Sequence, residues 1–141
     1  MRWVGAVGQR DHVVASAGYA IFDNLVDGDP RGWRDMVLTN VLAPANLIRA
    51  SLQALKQMRV RIVLIGSAAG VIYTPGNIYG ATKSAVTGYG AGVTLVNLGA
   101  TATNFFDADG GLPDREMVTA DDLASSFGWA IHLPAALKLV S

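Results

Sequence analysis

An α/β fold built on a mostly parallel sheet of about four strands is what this 141-residue sequence predicts. Two observations carry that reading. Short, nearly continuous apolar and β-branched runs (HVVASA, VRIVLIG, VTLVNLG) alternate with longer segments whose apolar residues recur at helical spacing. Strands covered on both faces read as continuous apolar runs, and a helix in each crossover implies parallel strands joined right-handedly. The composition agrees: 51% hydrophobic, 16% charged and 16 glycines suit a tightly packed α/β core of small side chains. The length is that of a single domain, residues 1–141.

In chain order, HVVASA (12–17) is the first strand and ends at Gly18. A loop follows to Gly28, then Asp29 offers an N-cap and Pro30 suits the first helical position. Trp33, Val37, Val41, Ile48, Leu52 and Leu55 mark one long helix to about residue 58. Pro44 interrupts it: without an N–H it cannot donate to Asn40, so a kink or loosened turn is expected there. VRIVLIG (60–66) is the second strand, SAAGVIYTPGN a loop, and 78–89 the next helix. VTLVNLG (93–99) is the third strand. A loop leads to a helix starting at Thr119, with Asp122 three residues on as an imperfect capping box, and ALKLV (136–140) reads as a short last strand.

Lys plus Arg and Asp plus Glu are 11 each, with no basic cluster, which argues against nucleic-acid binding. The absence of Cys removes disulfides, thiolate nucleophiles and Cys-ligated zinc. His12 and His132 are the only histidines and read as structural or exposed, so no metal site is expected. No apolar run reaches membrane-spanning length and the N-terminus lacks a signal-peptide core, so a cytoplasmic protein with no membrane partner is the expectation.

Chemistry concentrates in YGATK, residues 79–83. Tyr79 and Lys83 are four apart and leave one helix face, a pairing that also occurs by chance on ordinary helices. Two further residues strengthen it. Ser67 stands just past the second strand, where a twelve-residue loop can return its hydroxyl to the phenol. Asn40 is a polar amide within the apolar helical stretch TNVLAP, next to the expected kink, although a local hydrogen bond alone would also account for it. In open parallel sheets chemistry lies beyond the carboxyl ends of the strands, here rich in Gly, Ser and Thr.

At these residues the chain resembles the short-chain dehydrogenases and reductases. DHVVASAG is similar to the family's Asn-Asn-Ala-Gly segment, with Ala15 and Ser16 in place of the asparagines. TNVLAP is similar to its central helix, RIVLIGSAAG to its next strand, IYGATKSAVTGY to its signature helix, and VTLVNLGATAT to the strand and loop that follow, with Leu98 in place of a proline. The resemblance implies a partial Rossmann-like three-layer sandwich and hydride transfer between NAD or NADP and a carbonyl or alcohol substrate. It implies Asn40, Ser67, Tyr79 and Lys83 as the catalytic set, with Tyr79 as acid-base, its pKa lowered by Lys83 and by a positive nicotinamide ring. It places Ala17, Gly18, Lys83, Gly99 and Thr103 against the cofactor, and Phe105, Phe106 and the GGLP loop in the substrate lid.

Measured against that family, the glycine-rich turn that holds the pyrophosphate is missing; GAVG (5–8) precedes the first strand instead of following one. The signature helix is also about three turns short. Weak or absent cofactor binding and low activity of the chain alone are therefore expected. A homo-oligomer is expected from the unpaired strand edge at 12–17 and from the family's habit of pairing through its central helices. Three alternatives stand beside a working reductase: an inactive fragment, an interaction or scaffold protein, and one half of a split enzyme.

Overall fold

Four parallel strands in sequence order form the main sheet of the computed structural model, which describes residues 12–58, 61–72, 76–89, 93–109, 117–130 and 138–140. They are β1 (His12–Ala15), β2 (Arg61–Ser67), β3 (Val93–Leu98) and β6 (Lys138–Val140). Two further strands, β4 (Thr101–Ala102) and β5 (Val118–Thr119), pair in a small parallel ribbon that the sequence did not reveal. Each is two residues long, too short to leave a periodic signal.

The register runs from His12 opposite Arg61 to Ala15 opposite Leu64, and from Ile62 opposite Val93 to Ser67 opposite Leu98. Side chains alternate between faces, as strand geometry requires. Ile62, Leu64, Val93 and Leu95 pack with Val86 on one face, while Val63 and Val96 pack on the other. β2 and β3 thus form the buried centre. Among the described residues β1 pairs with β2 alone and leaves its other edge open, with Val14 47% exposed. β1 is also two residues shorter than the expected 12–17, because Ser16 and Ala17 turn out of the ladder.

The helices are α1 (Pro30–Met36), α2 (Ala43–Met58), α3 (Ile78–Gly88) and α4 (Ala120–Ala130). Asp29 caps α1 by accepting from the Arg31 N–H at 3.0 Å, and Pro30 takes the first turn, where its missing N–H is harmless. Thr119 and Asp122 form the reciprocal cap of α4: Thr119 Oγ1 accepts from the Asp122 N–H at 3.2 Å and Asp122 Oδ2 from the Thr119 N–H at 3.3 Å. The expected long helix is divided. Between α1 and α2, Val37–Leu42 form a π-helical turn, closed by the Ala43 N–H bonding to the Leu38 carbonyl five residues back. Pro44 explains it physically, since widening the helix is one way to accommodate a missing donor. GAVG at 5–8, His132, the GGLP loop and the start of the last expected strand lie outside the described residues. No helix among the described residues is long and apolar enough to cross a membrane.

Candidate active site

The carboxyl ends of β1, β2 and β3 open onto a cavity of about 730 Å³. Each end delivers one part of the site. β1 leads into Ser16 and Gly18, β2 ends in Ser67, and β3 is followed by Gly99 and Thr103, all of which line the cavity; Ala17 between Ser16 and Gly18 does not. α3 supplies Tyr79 and Lys83 from one face, one turn apart. Its start is fixed by Asn77, whose side chain accepts from the Gly80 N–H at 2.8 Å.

Tyr79 and Lys83 are both buried, at 7% and 6% exposure. Burial pushes the Tyr79 phenol above its ordinary pKa, and a hydrogen bond with the Ser67 side chain opposes that rise. Ser67 also accepts from the Ala69 N–H at 3.2 Å, which orients its hydroxyl at the strand end. Burial lowers the pKa of Lys83. Its ammonium donates to the Ile65 carbonyl at 3.3 Å and lies 5.8 Å from the centre of the Tyr79 ring. The expectation that Lys83 would bring the phenol below its ordinary value does not describe the protein alone. The ammonium sits over the ring, a cation–π arrangement, and desolvation is the first influence on both groups.

Asn40 is 2% exposed and its hydrogen bonds bind three elements together. Its Oδ1 accepts from the Tyr19 N–H at 3.0 Å, and its Nδ2 donates to the Tyr19 carbonyl at 2.9 Å and to Thr82 Oγ1 at 3.0 Å. Both amide protons are thus engaged within the protein. Thr82 in turn donates to the Tyr79 carbonyl at 2.8 Å. The loop after β1, the π-helical turn and α3 are locked together at the residues that matter. Gly18 permits this closeness: a Cβ there would sit 3.2 Å from Asn40 Oδ1 and 3.4 Å from Lys83 Nζ.

Sequence reasoning named Asn40, Ser67, Tyr79 and Lys83, and the fold gathers them at one end of the sheet. It did not single out Thr82, although a hydroxyl inside YGATK is a visible signal. Nor did it single out Phe22. That ring comes from the loop after β1 and meets Tyr79 edge-on, with centroids 5.1 Å apart. Phe105 also approaches Tyr79, at 5.9 Å, and lies 6.4 Å from Phe22, while Phe106 stacks on Phe22 at 6.0 Å.

The space at two glycines of the cavity wall would admit a flat cofactor ring. Gly18 leaves room beside Lys83, and Gly99 faces open space. Among the described residues, β1 runs into a loop and β2 into the 3-10 turn Ala68–Gly70, and neither strand is followed by a glycine-rich turn at a helix start.

Comparison with known proteins agrees with the fold. The short chain dehydrogenase family model matches residues 2–103. The human dehydrogenase/reductase SDR family member 11 is 37% identical over 83 residues, covering 55% of this chain and 32% of the relative. A closed form of serine dehydrogenase complexed with NADP+ superposes with a TM-score of 0.78 at 26% identity, over 92% of this chain and 62% of that one. A short-chain dehydrogenase from Sphingobium yanoikuyae in complex with NADPH gives 0.77 at 26% identity, over 94% and 57%. The chain therefore spans less than two thirds of the length of each of these relatives.

Proposed function

The chain belongs to the short-chain dehydrogenase family, and from that membership we propose that it carries the proton-transfer and nicotinamide end of an NAD(P)-dependent oxidoreductase acting on a carbonyl or alcohol. The observation that carries the reading is the convergence of Ser67, Tyr79 and Lys83 on one cavity, with Asn40 locked behind them. When bound, a reduced nicotinamide supplies the hydride that adds to the carbonyl carbon. The protein's own groups handle the oxygen. Tyr79, held protonated by burial, donates its phenolic proton to the oxygen as negative charge develops there. The Ser67 hydroxyl hydrogen-bonds the same oxygen and fixes its distance from the phenol. Lys83 stabilises the phenolate left behind and, beside Gly18, would hold the ribose hydroxyls of a bound cofactor. Asn40 holds a proton-relaying water near Lys83, through acceptor capacity its spent amide protons leave free. Gly99 and Thr103, which line the same cavity, would hold the nicotinamide.

The 141-residue chain on its own binds NAD(H) or NADP(H) weakly. The contacts missing among the described residues are the backbone N–H groups of a glycine-rich turn that opens a helix after a strand, each charge-assisted bond being worth about 1.5–3 kcal/mol. A second copy of the chain is its proposed macromolecular partner, through the open edge of β1 and the exposed Leu38 and Leu42.

The test is single-turnover reduction of a ketone by NADPH at several millimolar, comparing the native chain with Tyr79→Phe. Slow reduction that falls by about 100-fold or more in the variant supports the reading. Equal rates in the two proteins contradict it.

A further inference from the structure

From the aromatic surroundings of Tyr79 we infer that Phe22 is the specificity-determining wall of this cavity, selecting uncharged aryl or alkyl ketones and the corresponding secondary alcohols. The inference rests on the oxidoreductase reading for the identity of the reacting group, and on independent geometry for the rest of the substrate. Three phenylalanines from two separate segments form one cluster at Tyr79, two of them against its ring and Phe106 joined through the other two. Phe22 meets Tyr79 edge-on at 5.1 Å, Phe105 is tilted against it at 5.9 Å, and Phe22 and Phe106 lie nearly parallel, 13° apart in plane. Phe105 and Phe106 are themselves edge-to-face at 5.5 Å. Such pairs hold each other in defined orientations, so the rings form a structured surface. Phe22 keeps 38% of its surface exposed, so one part of the ring is spoken for by Tyr79 and another remains free for a ligand.

Much of the rest of the lining is apolar, with Ser16, Asn77, Thr101 and Thr103 as uncharged polar members. Ile65, Ile72, Leu98 and Leu123 contribute aliphatic surface, and Lys83 is the single charged residue among the described residues that line the cavity. Lys83 lies beside Tyr79 and the Ile65 carbonyl, at the reacting end of the cavity. A carboxylate or ammonium at the far end of the substrate, against Phe22, would therefore leave water for an aromatic wall without an opposite charge, which is costly. An aryl ketone meets no such penalty: its oxygen reaches Tyr79 and Ser67 while its ring stacks on Phe22. This separates the chain from the serine dehydrogenase whose fold it shares, since an amino acid carries both charges.

The matched probes are acetophenone and para-acetylbenzoate, similar in shape and differing by one carboxylate, with L-serine as a third. Ligand-observed NMR titration reads their binding to the full chain without cofactor or turnover. Acetophenone is expected to bind at least tenfold more tightly than either charged compound. Phe22→Ala is expected to weaken acetophenone about tenfold, the scale of losing one aromatic contact. Phe22→Arg is expected to bring para-acetylbenzoate level with acetophenone or ahead of it. Circular dichroism establishes that both variants fold, and Phe22→Leu, which keeps an apolar side chain, is expected to retain most of the acetophenone binding.

Comparable binding of the charged compounds to the native chain overturns the inference. So does absence of acetophenone binding, or acetophenone binding that Phe22→Ala and Phe22→Arg both leave unchanged. The two readings fail separately. Retained, Phe22-dependent acetophenone binding with no hydride transfer contradicts only the oxidoreductase reading. Hydride transfer to para-acetylbenzoate in preference to acetophenone contradicts only the role given to Phe22.

Discussion

Asn40 and Thr82, forty-two positions apart, are joined by a 3.0 Å hydrogen bond that fastens the π-helical turn to the helix carrying Tyr79 and Lys83. Both residues are 2% exposed, so the bond has no water to replace it. Thr82→Val keeps the shape and removes the acceptor, leaving a buried N–H of Asn40 unsatisfied. Urea denaturation should show a loss of about 1–3 kcal/mol. Thr82→Ser, which keeps the hydroxyl, should lose much less. Equal losses in the two variants would mean that the methyl group matters and the hydrogen bond does not.

Lys83 is expected to reduce the stability of the fold. Its ammonium is buried with one carbonyl partner at 3.3 Å, and burial lowers its pKa. A depressed pKa means the folded state binds the proton less well than the unfolded state does. The cost is therefore full below the folded pKa and disappears as pH rises toward the ordinary value of 10.5. Lys83→Met should raise Tm by about 2–5 °C at neutral pH, with a gain that shrinks toward pH 10.5, while removing the proposed ketone reduction. A lower Tm across that range would show that the ammonium holds the site together.

Gly70 tests the approach of the turn after β2 to α3. A Cβ there would lie 2.6 Å from the backbone oxygen of Lys83, which a helix cannot move aside. Gly70→Ala should cost about 1–3 kcal/mol of stability by overpacking. The expected signature beyond stability is weaker communication between Ser67 and Tyr79, read as a change in the tyrosine titration. A stable variant with native titration would refute the close packing.

The proposed self-association rests on apolar surface that the described residues leave uncovered. Val14 on the open strand and Leu38 and Leu42 on the π-helical turn are each 47% exposed. Light scattering at high protein concentration should give a dimer or larger species. Leu38→Lys with Leu42→Lys should shift it toward monomer. A monodisperse native monomer would contradict the proposal.

Much of this was legible in the residues because the signals were local. Asp29-Pro30 marked a helix start, Thr119 and Asp122 another, and continuous β-branched runs marked strands whose order in the sheet equals their order in the chain. Pro44 announced a disturbance near Asn40, yet its form depended on how the helix recovered, and sequence alone does not choose between a kink and a π-helical turn. Phe22 was hidden for a different reason. It lies in an irregular loop with no period to read, and its importance comes wholly from meeting Tyr79 and Phe106, which are distant in sequence. Thr82 was equally silent until Asn40 was seen to need an acceptor.

The central proposal is that this chain holds the nicotinamide and proton-transfer end of a reductase site, with no glycine-rich turn for the phosphates among the described residues. Calorimetric titration of the chain with NADPH and with reduced nicotinamide mononucleotide tests it most directly, because the second compound lacks the adenylate half. Both should bind with dissociation constants in the millimolar range, within about tenfold of each other, a difference of about 1.4 kcal/mol. Micromolar NADPH binding, a hundredfold or more tighter than the mononucleotide, would show that the chain grips the phosphates as well and would contradict the account.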